Sequence, residues 1–124
     1  MKDLLEAAHR SGRFAGSETV EVAGDPELVD VHLETLTGNL YLVMLPPRLD
    51  VARVLFEDYV FDDVPAHRIL DFVDVLERGE VRFSFAWFGR ELVLRVPLPE
   101  GTWVDQRRFR GDLSDWEKGV FEQR

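Results

Sequence analysis

The chain has 124 residues, of which 24 are acidic and 15 are lysine or arginine, so its formal net charge at pH 7 is −9. An apolar fraction of 45% and a charged fraction of 31% are typical of a folded globular protein. The acidic balance disfavours nucleic acid and anionic membrane as partners and favours cationic ones. Because the chain has no cysteine, it cannot form disulfides or a cysteine-ligated zinc site, and it has no thiolate for catalysis.

The length predicts a single domain over residues 1–124. The N-terminal stretch lacks the apolar run of a secretory signal, and the longest apolar run, LYLVML at 40–45, is far shorter than the ~20 residues of a membrane span. We therefore expect a cytoplasmic protein. Apart from Lys2 and Lys118, the positively charged residues are arginine, which is typical of GC-rich bacterial genomes.

The first third of the chain predicts a short helix, a strand and a hairpin. Residues 2–10 carry a helical apolar stripe that ends before Gly12, and residues 19–22 alternate as a strand does. Two further strands, 29–36 and 40–45, flank a turn at Gly38-Asn39. This turn places Leu33 opposite Met44, so that Leu40, Leu42 and Met44 share a face with Val31 and Leu33.

The middle of the chain predicts helices. Residues 50–59 fit either a helix or a strand, and the helix is favoured because Ala52, Leu55, Phe56 and Tyr59 follow its period, with Asp50 as N-cap. Residues 65–78 predict a helix more strongly. Pro65 suits its first turn, Gly79 suits its end, and the apolar stripe is Ile69, Phe72, Val73 and Leu76.

The last third predicts a second hairpin and a final helix. A Gly89-Arg90 turn pairs Phe85 with Leu94, and a Phe88-Gly89 turn shifts the partners by two residues but keeps the same face. Either turn predicts that Phe83, Phe85 and Trp87 belong to the core. Residues 105–112, DQRRFRGD, are expected to form a solvated basic loop. Ser114 and Glu117 then have the spacing of a capping box that opens a short helix.

These elements predict an α+β fold with the order helix, three strands, helix, two strands, helix. The strands are expected to form one antiparallel sheet of about five strands with helices packed on one face. This element order and the acidity resemble type III secretion chaperones and the related YbjN-like proteins, which dimerise and hold partner polypeptides. They are equally similar to small bacterial immunity proteins that neutralise toxins.

One cluster of carboxylates surrounds the predicted helix at 65–78. At about 100° per residue, Asp63, His67, Asp71 and Asp74 fall on one side, opposite the apolar stripe. The simplest interpretation is a solvated helix face. The alternatives are a docking ridge for a basic partner or, less favoured, a metal site that uses His67.

The sheet face opposite the predicted core is a second candidate partner surface. It mixes apolar and charged side chains, as covered faces often do. Its expected members are His32, Glu34, Tyr41, Val43, Arg82, Ser84, Phe88, Val93 and Arg95.

The sequence therefore predicts a non-enzymatic module that binds another protein, either a basic partner or a second copy, without cofactor or metal. The alternative is a small hydrolase that uses His32 or His67 with nearby carboxylates. No nucleophile motif of the G-x-S-x-G kind and no phosphate-binding loop supports that alternative.

Overall fold

The computed structural model describes residues 2–12, 14–22, 25–46 and 50–123. Within those ranges it has three α-helices and eight β-strands, which form two antiparallel sheets. The chain divides into two compact units, residues 1–70 and 71–124. The α+β class is confirmed, with one five-stranded antiparallel sheet as expected and a second, three-stranded sheet that the sequence did not predict. The single domain expected from the length stays a prediction.

The first unit is built on a five-stranded meander. Each strand pairs antiparallel with the next, in the order β1-β2-β3-β4-β5. The predicted helix at 2–10 and the predicted strand at 19–22 are confirmed, and Gly12 has a φ of +67° directly after the helix. The elements are α1, Lys2–Ser11; β1, Phe14–Val22; β2, Asp25–Thr35; β3, Leu40–Leu45; β4, Val51–Phe56; and β5, Tyr59–Pro65.

The β2–β3 hairpin has a longer turn than the predicted Gly38-Asn39 turn. Leu33 pairs with Tyr41, and the turn between the strands is closed by the Thr35 N–H, which donates to the Asn39 carbonyl at 2.9 Å. The predicted pairing of Leu33 with Met44 is therefore wrong by three residues. An odd shift turns every side chain of β3 to the opposite side of the sheet.

The shifted register reverses the predicted core of the first sheet. Tyr41 and Val43 are buried with Val31 and Leu33, and the aromatic ring of Tyr41 stacks on Phe56 at a centroid distance of 4.5 Å. The residues predicted for that core from β3 point the other way, and one of them, Leu40, is 67% exposed. The two sides of this sheet are therefore exchanged relative to the prediction.

Residues 50–59 form most of a second hairpin rather than the favoured helix. Phe56 pairs with Tyr59 across a two-residue turn, in which Glu57 has a φ of +55°. The buried residues of β4 are Ala52, Val54 and Phe56, which alternate with exposed or half-buried ones. This period of two is that of a strand with one buried face, and it overrides the helical pattern.

The helix predicted at 65–78 is present as α2, Ile69–Arg78, preceded by a short 3-10 helix, Ala66–Arg68. It crosses the boundary between the two units. The Gly79 N–H donates to the Leu76 carbonyl, and the Glu80 N–H donates to the Val75 carbonyl, both at 3.1 Å. With a φ of +69° at Gly79, this is a Schellman motif. The predicted stripe of Ile69, Phe72, Val73 and Leu76 is buried.

The second unit pairs a three-stranded sheet with the C-terminal helix. Strand β7 lies between β6 and β8, so the expected basic loop at 105–112 is in part a strand. Phe83 pairs with Leu94 and Phe85 with Leu92, which is the register of the Phe88-Gly89 turn. The elements are β6, Arg82–Ala86; β7, Glu91–Leu98; β8, Gly101–Arg108; and α3, Asp115–Glu122.

Helix α3 packs on the Phe83 side of this sheet. The Phe83 ring stacks on Phe121 at a centroid distance of 5.0 Å, and the Trp116 Nε1–H donates to the Leu76 carbonyl at 2.9 Å. The predicted capping box is present. The Glu117 N–H donates to Ser114 Oγ at 3.1 Å, and the Ser114 N–H donates to Glu117 Oε1 at 2.8 Å.

Candidate interaction surfaces

One side of the first sheet, here called the outer face, carries apolar side chains that are exposed or half-buried. Directly paired residues of an antiparallel sheet point to the same side, and β2–β3 pairs His32 with Leu42 and Glu34 with Leu40. Leu40 is 67% exposed, and Val60 is 39% exposed. The outer face consists of Asp30, His32, Glu34, Leu40, Leu42, Met44, Arg53, Leu55, Val60 and Asp62.

A β-bulge shapes the far strand of the outer face. Ala52 pairs with Val64 and Val54 with Phe61, so that Asp62 and Asp63 together oppose Arg53. Asp63 has a φ of +59°, a left-handed conformation that aspartate tolerates better than most residues. The Arg53 Nε–H donates to Asp62 Oδ1, in an ion pair that is exposed to solvent. Such a pair adds little stability but fixes where the charges lie.

The partner-binding residues predicted from the sequence do not share one surface. His32 and Glu34 lie on the outer face, whereas Tyr41 and Val43 are buried on the opposite side of the same sheet. Both buried residues are therefore corrected from binding candidates to core, and the cause is the three-residue register shift. Phe88 lies in the β6–β7 turn and is fully exposed.

Four other predicted members lie together on one side of the second sheet. Arg82 pairs with Arg95, and the Arg95 Nη1–H donates to Ser84 Oγ at 2.6 Å. Val93 is 5% exposed, so it is a buried residue between these polar side chains and not a surface anchor. The side chains that are accessible on this side of the second sheet are mainly polar and basic. Val104, which pairs with Arg95, is an exposed apolar residue among them.

The predicted acidic ridge is not continuous, because its geometry required helix from residue 63. Asp63 lies in β5 and His67 in the 3-10 helix, and both are exposed. In α2, Asp71 is exposed, and Asp74 forms an ion pair with Arg78, with 3.1 Å between Oδ2 and Nε. Only the α2 part keeps the predicted solvated face, which fits the simplest interpretation of these acids.

Two aromatic side chains, Trp87 and Phe88, extend into solvent at the β6–β7 turn, so the prediction that Trp87 belongs to the core is wrong. Trp87 is 70% exposed and Phe88 is 105% exposed, while Phe85 below them is 51% exposed. Only Phe83 of the three predicted core aromatics is buried. The alternation correctly places Phe83 and Phe85 on one side of β6, but Trp87 lies beyond this strand, in the turn.

The base of this turn is an aromatic cluster. Phe85 packs edge-on against Phe109 at a centroid distance of 5.2 Å and lies 6.4 Å from Phe121. The guanidinium of Arg107 lies 5.8 Å from the centre of the Phe109 ring, and the Phe109 N–H donates to the Arg90 carbonyl at 2.7 Å. The turn is thus held at its base by packing and by a backbone hydrogen bond.

A buried ion pair, Arg107–Glu117, joins β8 to α3 in the second unit. Glu117 is fully buried, and its Oε2 and Oε1 accept from Arg107 Nε at 3.0 Å and Nη2 at 2.7 Å. Arg107 Nη2 also donates to the Asp112 carbonyl at 2.6 Å. Because its hydrogen-bonding groups are engaged in this network, we assign the pair a structural role. The sequence suggested Glu117 only as a cap and Arg107 only as part of a basic cluster.

No group of three or more histidine, aspartate or glutamate side chains in the described ranges could hold a metal ion. The three histidines lie on separate elements, with His9 in α1, His32 in β2 and His67 in the 3-10 helix. In the part of the chain that the structure describes, no helix has the length and apolarity needed to cross a bilayer. Comparisons with protein-family models, with curated proteins and with solved structures gave no match.

Proposed function

We propose that the chain is a non-enzymatic module that binds another polypeptide on the outer face of the first sheet, as a chaperone-like or immunity-like protein does. The observation that supports this most is the exposure of Leu40 and Val60 on one sheet face, beside half-buried Leu42, Met44 and Leu55. An apolar group of this kind with a polar rim is typical of interaction sites.

The charges on the outer face indicate the chemistry of the partner. The outer face carries the carboxylates of Asp30, Glu34 and Asp62 and the guanidinium of Arg53. Because its negative charges outnumber its positive ones, the face is acidic, like the whole chain with its net charge of −9. A polypeptide segment that combines apolar anchors with basic residues would be complementary. The anchors would supply most of the affinity, and the charges would mainly accelerate association.

The alternative of a small hydrolase can be tested at His32, because this residue lies on the outer face itself. Hydrolysis would need two or three titratable groups that converge with a nucleophile in one pocket. His32 pairs with Leu42 and is flanked on its strand side by Asp30 and Glu34, which supplies carboxylates but no nucleophile. The binding proposal therefore predicts that His32→Ala changes affinity at most and abolishes no reaction.

The experiment measures binding of labelled synthetic peptides by fluorescence anisotropy. Peptides rich in arginine and aromatic residues are compared with peptides of equal apolar content in which glutamate replaces arginine. We expect the wild-type protein to prefer the basic set and to lose affinity as salt is raised. The double variant Leu40→Asp/Leu42→Asp should weaken binding by tenfold or more, since hot-spot residues contribute on the order of 2 kcal/mol each.

The matched control is Val104→Asp, which places the same charge at an exposed apolar position of the second sheet. It should leave peptide binding unchanged, and circular dichroism should show that both variants keep the fold. Equal affinity of the Leu40→Asp/Leu42→Asp variant and the wild type would contradict the proposal. Turnover of a substrate that His32→Ala abolishes would replace it with the hydrolase.

A further inference from the structure

The strongest unassigned feature of the molecule is the turn between β6 and β7, here called the aromatic tip, residues 87–90. Its first two residues, Trp87 and Phe88, are 70% and 105% exposed. Large aromatic side chains in full contact with solvent are uncommon on a monomer, and adjacent ones at the end of a hairpin present an anchor to a partner.

The backbone of the aromatic tip is strained. Trp87 has a φ of +54°, Phe88 of +56° and Gly89 of +83°. Positive φ at two central turn positions suits Asn-Gly or Gly-Gly, and a bulky residue there is a genuine outlier. Strain of this kind is held by the surrounding structure and is concentrated at functional sites. The chain thus keeps two aromatic rings at positions where smaller residues would be more stable.

The surroundings of the aromatic tip are basic although the whole chain is acidic. Arg90 closes the turn, and Arg108 and Arg110 stand at the neighbouring end of β8, all three exposed. Glu91, which pairs with Arg108 in the sheet, and Asp112 are carboxylates beside these arginines, and the carboxylate of Glu117 is buried against Arg107. Aromatic residues together with arginine are the side chains most enriched at the energetic centres of protein interfaces.

This chemistry complements the outer face, which is apolar and acidic. We propose that the aromatic tip of one copy docks on the outer face of a second copy, an inference that rests on the proposed function for its receiving surface. Trp87 and Phe88 would cover Leu40 and Leu42, and Arg90 and its neighbours would approach Asp30 and Glu34. The two surfaces are different, so the contact is heterologous, and the chain supplies both halves.

The size of the contact sets the expected strength. Two aromatic side chains bury about 150–250 Å² each, so a single tip-to-face contact falls at the lower end of specific interfaces. Self-association is therefore expected in the micromolar range of dissociation constant. It should weaken with added salt, because opposite charges face each other across the rim.

An anionic lipid surface is the other chemistry that exposed aromatics with arginines could meet. The net charge of −9 opposes approach to such a surface. A second copy meets the same long-range repulsion, but it offers the aromatic tip an apolar surface of complementary local charge. For this reason the second copy is the occupant to which the proposal commits.

The test uses sedimentation velocity on the full chain and two variants that should each be unable to self-associate. Trp87→Ser/Phe88→Ser removes the tip and keeps the face, and Leu40→Asp/Leu42→Asp removes the face and keeps the tip. We expect wild-type protein to self-associate with rising concentration and each variant alone to stay monomeric. An equimolar mixture of the two variants should form a 1:1 complex, because one intact tip meets one intact face.

Tryptophan fluorescence gives a second readout, since Trp87 is mainly exposed whereas Trp103 and Trp116 are half-buried. Emission should shift to shorter wavelength as the concentration of wild-type protein rises, and Trp87→Phe should abolish the shift. Val104→Asp serves again as control and should associate like the wild type.

Three results would overturn the inference. They are a mixture of the two variants that stays monomeric, a tip variant that still self-associates, and binding of the tip to vesicles of anionic lipid in place of the outer face. Each leaves the proposed function standing if Leu40→Asp/Leu42→Asp still lowers affinity for basic peptides. Conversely, Leu40→Asp/Leu42→Asp could leave the affinity for basic peptides unchanged while association through the aromatic tip persists. That outcome would contradict the proposed function alone.

Discussion

The register of the β2–β3 hairpin differs from that of the predicted Gly38-Asn39 turn by three residues, and the register of β6–β7 differs from that of the predicted Gly89-Arg90 turn by two. Whether the shift is odd or even decides which side of the sheet the side chains face. In β2–β3 the odd shift exchanges the two sides of β3, so that Tyr41 is buried and Leu40 is exposed. In β6–β7 the even shift keeps Phe83 on its predicted side. Turn length thus determines which side chains are exposed, and strand alternation alone does not.

The largest effect expected from this comparison distinguishes the two sides of β3. Tyr41→Ala removes a side chain that is 2% exposed and that stacks on Phe56, so it should lower the free energy of unfolding by about 3–5 kcal/mol. Leu40→Ala changes a residue that is 67% exposed and should have an effect within about 0.5 kcal/mol. Denaturant unfolding of both variants measures the difference. The opposite ranking would restore the predicted register.

The sequence could predict the helix ends, but not the register of β2–β3 or the strand at residues 50–59. Caps and helix stripes were recognised because they are local: Gly79 closes α2 and Ser114 caps α3 as the residue types indicate. The register of β2–β3 depends on which residues of a Thr-Gly-Asn turn pair with each other. The helical interpretation of residues 50–59 failed because Ala52 and Phe56, four residues apart, fit both periods, and only pairing with β3 and β5 decides between them.

The candidate sites were harder to predict than the elements. The sequence predicted a sheet face of mixed apolar and polar side chains as a partner surface. Of the residues that it assigned to this face from the first sheet, half lie on the opposite side. Pairs that join distant positions, such as Arg107 with Glu117, leave no local pattern in the sequence. Trp87 is exposed in the turn beyond β6, and the alternation within the strand does not indicate where the strand ends.

The second prediction compares two aromatic residues on the same side of the β6–β7 hairpin. Phe83 is 8% exposed and contacts Phe121 and Trp116, so Phe83→Ala should cost about 3 kcal/mol of stability. Phe85 is 51% exposed, and Phe85→Ala should cost only about 1 kcal/mol. Thermal and denaturant unfolding check the ratio. Equal costs would mean that Phe85 is covered in solution.

The third prediction concerns the turns, where the two hairpins use different residues at positive φ. Gly38 has a φ of +89° with open space around it, so Gly38→Ala should destabilise by about 1 kcal/mol through the backbone alone. Phe88→Gly should instead stabilise by about 0.5–1 kcal/mol, because glycine relieves the left-handed strain at a cost in chain entropy.

Phe88→Ala is the control for that prediction, since alanine removes the ring but keeps the strained Cβ. It should not give the stabilisation that Phe88→Gly gives. Chemical denaturation of the three variants at a concentration below self-association separates backbone strain from interface effects. If Phe88→Ala and Phe88→Gly are equally stable, the turn is not strained, and the comparison between the two turns is lost.

The smallest expected effect lies at the end of β8 that supports the second hairpin, and it depends on pH. The pKa of Asp112 is held below its ordinary value by the backbone N–H of Arg110, which donates to Asp112 Oδ1 at 3.2 Å. The backbone N–H of Asp112 itself and the positive charge of Arg107 act in the same direction. A carboxyl whose pKa is lower in the folded state stabilises that state above its unfolded pKa. The contribution disappears as the pH falls through the folded pKa. Asp112→Asn should therefore be slightly less stable than wild type at neutral pH, and the two unfolding curves should converge in acid.

Glu122→Gln makes the same change of charge at the exposed end of α3 and serves as the control. A stability difference for Asp112→Asn that stays constant down to strongly acidic pH would show that the carboxylate does not support this end of β8 through its charge.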